Sequence, residues 1–154
     1  MRDEIDATDR VPRAILDANV LVSAFIGRRR QDIDPSPPVA LLDRRLRGEF
    51  VLVLCPTLVD EVMETLISPK LLRYAPQDSI PAFRSLIETA AESWPDPATI
   101  PSAARDPDDD YLIALAIETG AILVTGDANL REDASDIVET LGPREFLAVL
   151  EARH

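Results

Sequence analysis

The sequence predicts an α/β fold of three layers, α/β/α, around a central parallel sheet. Three observations carry that prediction. Residues 50–54 and 121–125 are short apolar runs rich in β-branched side chains, with no polar face, as strands buried on both sides are. Segments with apolar residues at helical spacing stand between such runs. Thirteen prolines, together with Gly48 and Gly120, mark the boundaries.

The elements follow in order. Residues 1–11 are charged throughout and read as a mobile leader, leaving 12–154 as a single domain. Ala14, Ile15 and Leu16 run into Asp17, and Val20, Leu21 and Val22 resume the apolar pattern, so the whole reads as a first strand. Pro37 and Pro38 open a short helix carrying Val39, Leu41, Leu42 and Leu46, ended near Gly48. The strand at 50–54 leads into a helix with Thr57 as N-cap and Asp60 as its capping-box partner, striped by Leu58, Val62, Met63, Leu66 and Ile67. Pro69 breaks it, and 71–74 form a further turn. A longer helix is predicted over 78–94, striped by Phe83, Leu86, Ile87, Ala90 and Ala91, with Trp94 packed at its end. Pro95, Pro97 and Pro101 mark a loop. Asp106 then suits an N-cap, Pro107 the first helical position and Gly120 the C-terminal cap of a helix buried through Ile113, Ala116 and Ile117. The strand at 121–125 stops at Gly126 and Asp127, Ile137 and Val138 suggest a last strand, and Pro143 opens a final helix with Phe146, Leu147 and Leu150.

Composition narrows the chemistry. The single histidine, His154, is the last residue, so no Ser-His-Asp or Cys-His mechanism and no His/Cys zinc site is expected. Cys55 is alone, so no disulfide framework is possible within the chain, which suits a reducing compartment. No apolar run approaches the roughly 20 residues of a membrane span, and the charged leader lacks an apolar signal core. A cytoplasmic protein with no membrane partner is expected. The net charge is −12, from 16 basic and 28 acidic residues. Residues 1–50 hold nine of each sign, so the entire excess falls in 51–154. Such a chain is a poor non-specific binder of phosphate backbones. What remains is the chemistry of carboxylates, hydroxyls, arginines and backbone amides.

The positions of the acids matter more than their number. In open parallel sheets, ligands bind beyond the carboxyl ends of the strands. Asp17 closes the first apolar run and Asp127 the 121–125 strand, while Glu61 and Asp110 lie in the opening turns of two helices. All four should share one edge. A charge embedded among the apolar residues of 14–22 is expensive without a partner, so Asp17 is the hardest of the four to explain structurally. Periodicity alone does not separate Glu61 from Glu64. Asp106 and Asp109 equally suit an N-cap and a capping box, Asp108 a first-turn dipole role, and Asp127 the start of a turn. Two carboxylates about 4 Å apart repel by roughly 4 kcal/mol at an effective dielectric of 20, so a cluster calls for a proton or a cation. Oxygen-only donors favour Mg²⁺ or Mn²⁺, and two such ions can activate a water against a phosphodiester.

In this order, Leu16-Asp17-Ala18-Asn19-Val20-Leu21, Glu61, Asp110-Tyr111-Leu112-Ile113-Ala114-Leu115-Ala116 and Val124-Thr125-Gly126-Asp127 resemble the PIN domain, and most of all its VapC-like branch of bacterial toxin–antitoxin toxins. Ser68-Pro69-Lys70-Leu71 after Glu61 adds to the match, which covers about residues 13–150. The resemblance implies a parallel-sheet α/β/α fold and a metal-dependent endoribonuclease that cleaves RNA by a metal-activated water. It carries the acidic site onto Asp17, Glu61, Asp110 and Asp127, with Asn19 and Thr125 in support. The run 106–110 holds more acids than that pattern requires, which leaves Asp109 or Asp106 as ligands instead of or beside Asp110; Asp110 is preferred because Ile113 and Ala114 follow it at the family's offset. It also implies one or two Mg²⁺ or Mn²⁺ ions, a small antitoxin partner and a homodimer.

Substrate phosphates need positive charge. Arg28, Arg29 and Arg30 are the expected RNA contacts, in a loop at the site edge after the first strand. Arg44, Arg45 and Arg47 suit a solvated helix face. Two other readings compete: a PIN-like module that binds RNA or protein without cutting, and a haloacid-dehalogenase-type phosphohydrolase with Asp17 as nucleophile. The second normally carries another Asp two residues on, where this chain has Asn19, and a late lysine, whereas Lys70 is the only lysine here.

Overall fold

A computed structural model describes residues 11–30, 35–74 and 76–153. The expected leader therefore lies outside the described residues except for Val11, as does the side chain of Arg30. The chain runs β1 (Arg13–Leu16), α1 (Ala18–Arg30), α2 (Pro37–Leu46), β2 (Val51–Leu54), α3 (Pro56–Leu66), α4 (Pro69–Leu72) and α5 (Ile80–Ala90). It continues through β3 (Ala91–Ser93), α6 (Asp110–Thr119), β4 (Ile122–Val124), α7 (Ala128–Ala134), β5 (Thr140–Leu141) and α8 (Pro143–Ala152), with 3₁₀ turns at Gln77–Ser79 and Pro107–Asp109.

The five strands form one sheet in the order β3-β2-β1-β4-β5, every pairing parallel. The predicted α/β class and parallel sheet hold. The first three strands step one way across the sheet; β4 then returns to the other side of β1. Right-handed crossovers put helices that serve opposite steps on opposite faces, so α1, α3 and α5 cover one face and α6 the other. Ala14, Ile15 and Leu16 in the central strand are fully buried, which is why that strand shows no alternation. α1 and α2 cross closely at Gly27, where a Cβ would stand 2.6 Å from Val39 Cγ2. Phe50 and Phe146 meet edge to face at 5.1 Å and tie α8 to the entry of β2. Gly120 ends α6 at φ 73°, the left-handed turn its position predicts.

Five expectations need correction. The apolar run 14–22 is not one strand: α1 begins at Ala18, with Asp17 Oδ1 accepting from Val20 N at 3.0 Å as a helix cap does. Burial of Val20 and Val22 outweighs their β preference. Arg28, Arg29 and Arg30 accordingly end that helix instead of occupying a loop at the site edge. The predicted helix 78–94 stops at Ala90, and Ala91–Ser93 pairs with β2 as an edge strand, its last bond carried on by Trp94 N to Leu54 O at 2.8 Å. Cys55, not Thr57, is the N-cap of α3, and the Thr57 amide donates to Asp96 Oδ1 instead. The last strand is Thr140–Leu141; residues 137 and 138 close the turn after α7.

A candidate acidic site at the sheet switch point

The strand order reverses between β1 and β4, the two strands that leave the sheet side by side and continue to opposite faces. Their carboxyl ends therefore open a crevice, the usual ligand position in such sheets. Asp17 follows β1 there, and Thr125, Gly126 and Asp127 follow β4. The Asp17 amide extends the ladder by donating to Val124 O at 3.0 Å. Asp17, Asn19, Ser23, Gly126, Asp127 and Pro143 line a cleft of about 420 Å³.

Asp17 is 6% exposed. Its Oδ2 accepts a hydrogen bond from the Thr125 hydroxyl and its Oδ1 one from Val20 N. Burial pushes its carboxyl above the ordinary range; the Thr125 and Val20 bonds oppose that, and the Asp127 charge adds to it. Thr125 is itself fully buried, and its Oγ1 also accepts the Asp127 amide at 3.1 Å, so one hydroxyl links the ends of β1 and β4. Asp127 caps α7, its Oδ1 accepting from Asn129 N at 2.9 Å and Leu130 N at 3.4 Å. Arg131, one turn into α7, donates to Thr125 O at 2.8 Å and steadies the same corner. Asn19 is exposed at the cleft, with no role yet beyond lining it.

Glu61 projects from α3 and is half-buried. Burial raises its carboxyl, the adjacent Tyr111 hydroxyl works the other way, and the charges of Asp108, Asp17 and Glu64 raise it further. The acidic run resolves into separate tasks. Asp106 caps the 3₁₀ turn by accepting from Asp108 N at 3.0 Å. Asp110 is 6% exposed and turns Oδ1 back to the preceding loop, accepting from Ala103 N at 3.0 Å and Ala104 N at 2.7 Å. Asp109 faces the other acids: burial, then Asp106, Asp127, Glu61 and Asp17, push it up to about 6. The structure thus gathers Asp17, Glu61, Asp109 and Asp127, from four segments, and engages Asp110 beside them.

No described basic side chain forms an ion pair with any of those four acids. A hard cation would relieve their mutual repulsion, and the donors are all oxygens, as Mg²⁺ and Mn²⁺ prefer. Among the described residues, no three acidic, histidine or cysteine side chains stand close enough to grip one ion together. That spacing fits an ion held by one or two carboxylates with water completing its shell, the ordinary habit of Mg²⁺.

Arg28 and Arg29 lie on the last turn of α1, roughly 16 Å along the helix from Asp17 at 1.5 Å per residue. There they border a separate groove with Phe25 and Phe83, the Arg29 guanidinium 5.7 Å from the Phe25 ring centre. Sequence reasoning missed Arg105, whose position in a proline-marked loop carries no periodic signal. Its guanidinium contacts Asn129 Oδ1 at 2.7 Å, Asp133 Oδ1 at 3.1 Å and Glu132, and its amide donates to Asp133 Oδ2 at 2.8 Å. It thereby pins the start of the acidic run to α7, the helix that Asp127 caps.

Comparison with known proteins agrees with the fold. Residues 13–129 match the PIN domain family. An uncharacterised protein, MJ1680 of Methanocaldococcus jannaschii, is 28% identical over 123 residues, covering 77% of this chain and 72% of that protein. The crystal structure of PAE2754 from Pyrobaculum aerophilum superposes with a TM-score of 0.63 at 15% identity, over 92% of this chain and 90% of that one. That of FitAcB from Neisseria gonorrhoeae gives 0.56 at 19% identity, over 85% and 98%. At those identities the two structures speak for the fold alone.

Proposed function

The chain belongs to the PIN domain family, whose members are generally divalent-metal-dependent nucleases, and from that premise we propose that it is an endoribonuclease using Mg²⁺ or Mn²⁺. One observation carries the proposal: acids from four segments lie near enough at the switch point for their charges to act on one another, with no described basic side chain paired to them. Asp17, Glu61, Asp109 and Asp127 are the proposed ligands. Asp110, which the motif alone favours, is proposed to hold the 103–104 loop that supports Asp109, with Asp106 capping the turn between them. Thr125 fixes the Asp17 carboxylate, and Asn19, at the cleft wall, is proposed to support the site by hydrogen bonding. A bound cation, or two, would supply an activated water and charge neutralisation at the scissile phosphodiester.

The four acids of one sign repel phosphate until a cation is present, so metal and RNA should bind in that order. Arg28, Arg29 and Arg30 are proposed to contact the RNA at a distance from the cut. Likeness to VapC-like proteins supports three further proposals: a toxin of a toxin–antitoxin pair, a small antitoxin partner and a homodimer. No described helix is long and apolar enough to cross a membrane.

The test compares an RNA strand with a DNA strand of equal sequence, in Mn²⁺ and in EDTA. RNA cleavage confined to Mn²⁺ or Mg²⁺ is expected. Cleavage in EDTA would refute the metal reading, and RNA binding without cleavage would favour a non-catalytic module.

A further inference from the structure

Around Glu61 one polar group is out of balance. Tyr111 sits in the first turn of α6 and is 7% exposed. Its hydroxyl is buried and, among the described residues, has no partner in hydrogen-bonding geometry. A buried hydroxyl left in that state weakens a fold, and phenylalanine would fill the same space without the penalty. The titratable groups whose charges act on it are Glu61 foremost, then Cys55 and Asp109. Cys55 is a poor acceptor, since burial first of all pushes its thiol up to about 11 and keeps it neutral. Glu61 is a good one: it is half-buried on α3, and its carboxylate lies near enough to the Tyr111 hydroxyl for each to act on the other.

We propose that Tyr111 is a positioning residue for the cation site, its hydroxyl donating to one Glu61 carboxylate oxygen and leaving the other for the ion. The inference rests on the metal reading of the acids. A carboxylate on a side chain with three rotatable bonds loses that freedom when it ligates; a fixed donor behind it reduces the loss. The hydroxyl and the carboxylate lie side by side without the cation, and their bond completes when it binds. Tyr111 therefore favours the loaded state over the empty one.

The experiment uses the full chain and the substitution Tyr111→Phe, with Mn²⁺ affinity measured by calorimetry and the melting temperature measured in EDTA. Mn²⁺ should bind about ten-fold more weakly, the usual effect of removing a partner behind a ligand. The EDTA melting temperature should stay level or rise, since a hydroxyl without a partner is lost. Combining Tyr111→Phe with Glu61→Gln should cost no more affinity than Glu61→Gln alone. Equal Mn²⁺ affinity in Tyr111→Phe and wild type overturns the inference and leaves the metal reading intact. A fall in the EDTA melting temperature overturns it too, because the hydroxyl would then already be bonded in the empty fold. Failure of the wild type to bind Mn²⁺ overturns both.

Discussion

Asp109→Asn should make the metal-free protein more stable while weakening its grip on cations. Folding moves this carboxyl from 3.8 to about 6, first through burial and then through Asp106, Asp127, Glu61 and Asp17. A move of that size corresponds to roughly 3 kcal/mol between its two protonation states. Because the group is partly open to solvent, screening reduces the usable part to about 1–1.5 kcal/mol. The folded protein holds this proton more tightly than the unfolded chain does. Stability from this group is therefore greatest below pH 4 and falls as pH rises through 6. At pH 7.5 in EDTA the ionised carboxylate opposes folding, and asparagine removes that opposition. The melting temperature should rise by about 3–5 °C at this chain length. At pH 5 the gain should shrink, since wild-type Asp109 is then mostly protonated. In the same variant Mn²⁺ affinity should fall at least ten-fold. The neighbouring substitution is the control: Asp110→Ala leaves two backbone amides, bonded at 3.0 and 2.7 Å, without their acceptor and should lower stability by about 1–3 kcal/mol at either pH. Thermal unfolding followed by circular dichroism reads both. A destabilised Asp109→Asn beside a neutral Asp110→Ala would refute the assignment of roles within the acidic run.

Other outcomes follow from the same contacts. Thr125→Val removes the donor to Asp17 and the acceptor for the Asp127 amide, both at a buried corner. It should cost about 1–3 kcal/mol in chemical unfolding and weaken Mn²⁺ binding, with Thr125→Ser recovering most of both. Arg105→Ala breaks exposed contacts worth about 0.5–1 kcal/mol in total, but amide exchange at Ala103, Ala104 and Asp109 should quicken; unchanged exchange would show that Arg105 does not hold the loop. Replacing Arg28, Arg29 and Arg30 together by alanine should weaken RNA binding in a filter assay and leave Mn²⁺ affinity unaltered, because Arg28 and Arg29 lie far along α1 from Asp17. Unchanged RNA affinity would remove them from the substrate path.

Strands buried on both faces and proline-marked boundaries made the α/β class readable from residues alone, and the C-terminal cap of α6 was readable from Gly120, whereas Asp106 and Pro107 open the 3₁₀ turn before α6 and not α6 itself. Residues 18–22 were not readable, because Val20 and Val22 favour strands locally, and their burial in the helical conformation decides against that preference. β3 was hidden for a related reason. Ala91, Glu92 and Ser93 continue the helical spacing of α5, and pairing with β2, a long-range contact, decides their conformation. At the site, strand ends located Asp17 and Asp127 without knowledge of contacts. Asp109 and Asp110 could not be told apart, since neighbours in a helical turn differ by about 100° in direction and only the 103–104 loop shows which one is engaged. The arginines were misplaced with α1: once residues 18–30 are helical, Arg28 and Arg29 lie three turns from the acids.

The most direct measurement is the anomalous scattering of a crystal grown or soaked in Mn²⁺ near neutral pH. An ion within ligand distance of Asp17, with at least one of Glu61, Asp109 and Asp127 beside it, is the predicted result, and Asp17→Asn should abolish the signal. Mn²⁺ bound only elsewhere on the surface, or an undiminished signal in Asp17→Asn, would contradict the assignment of these acids to a cation site.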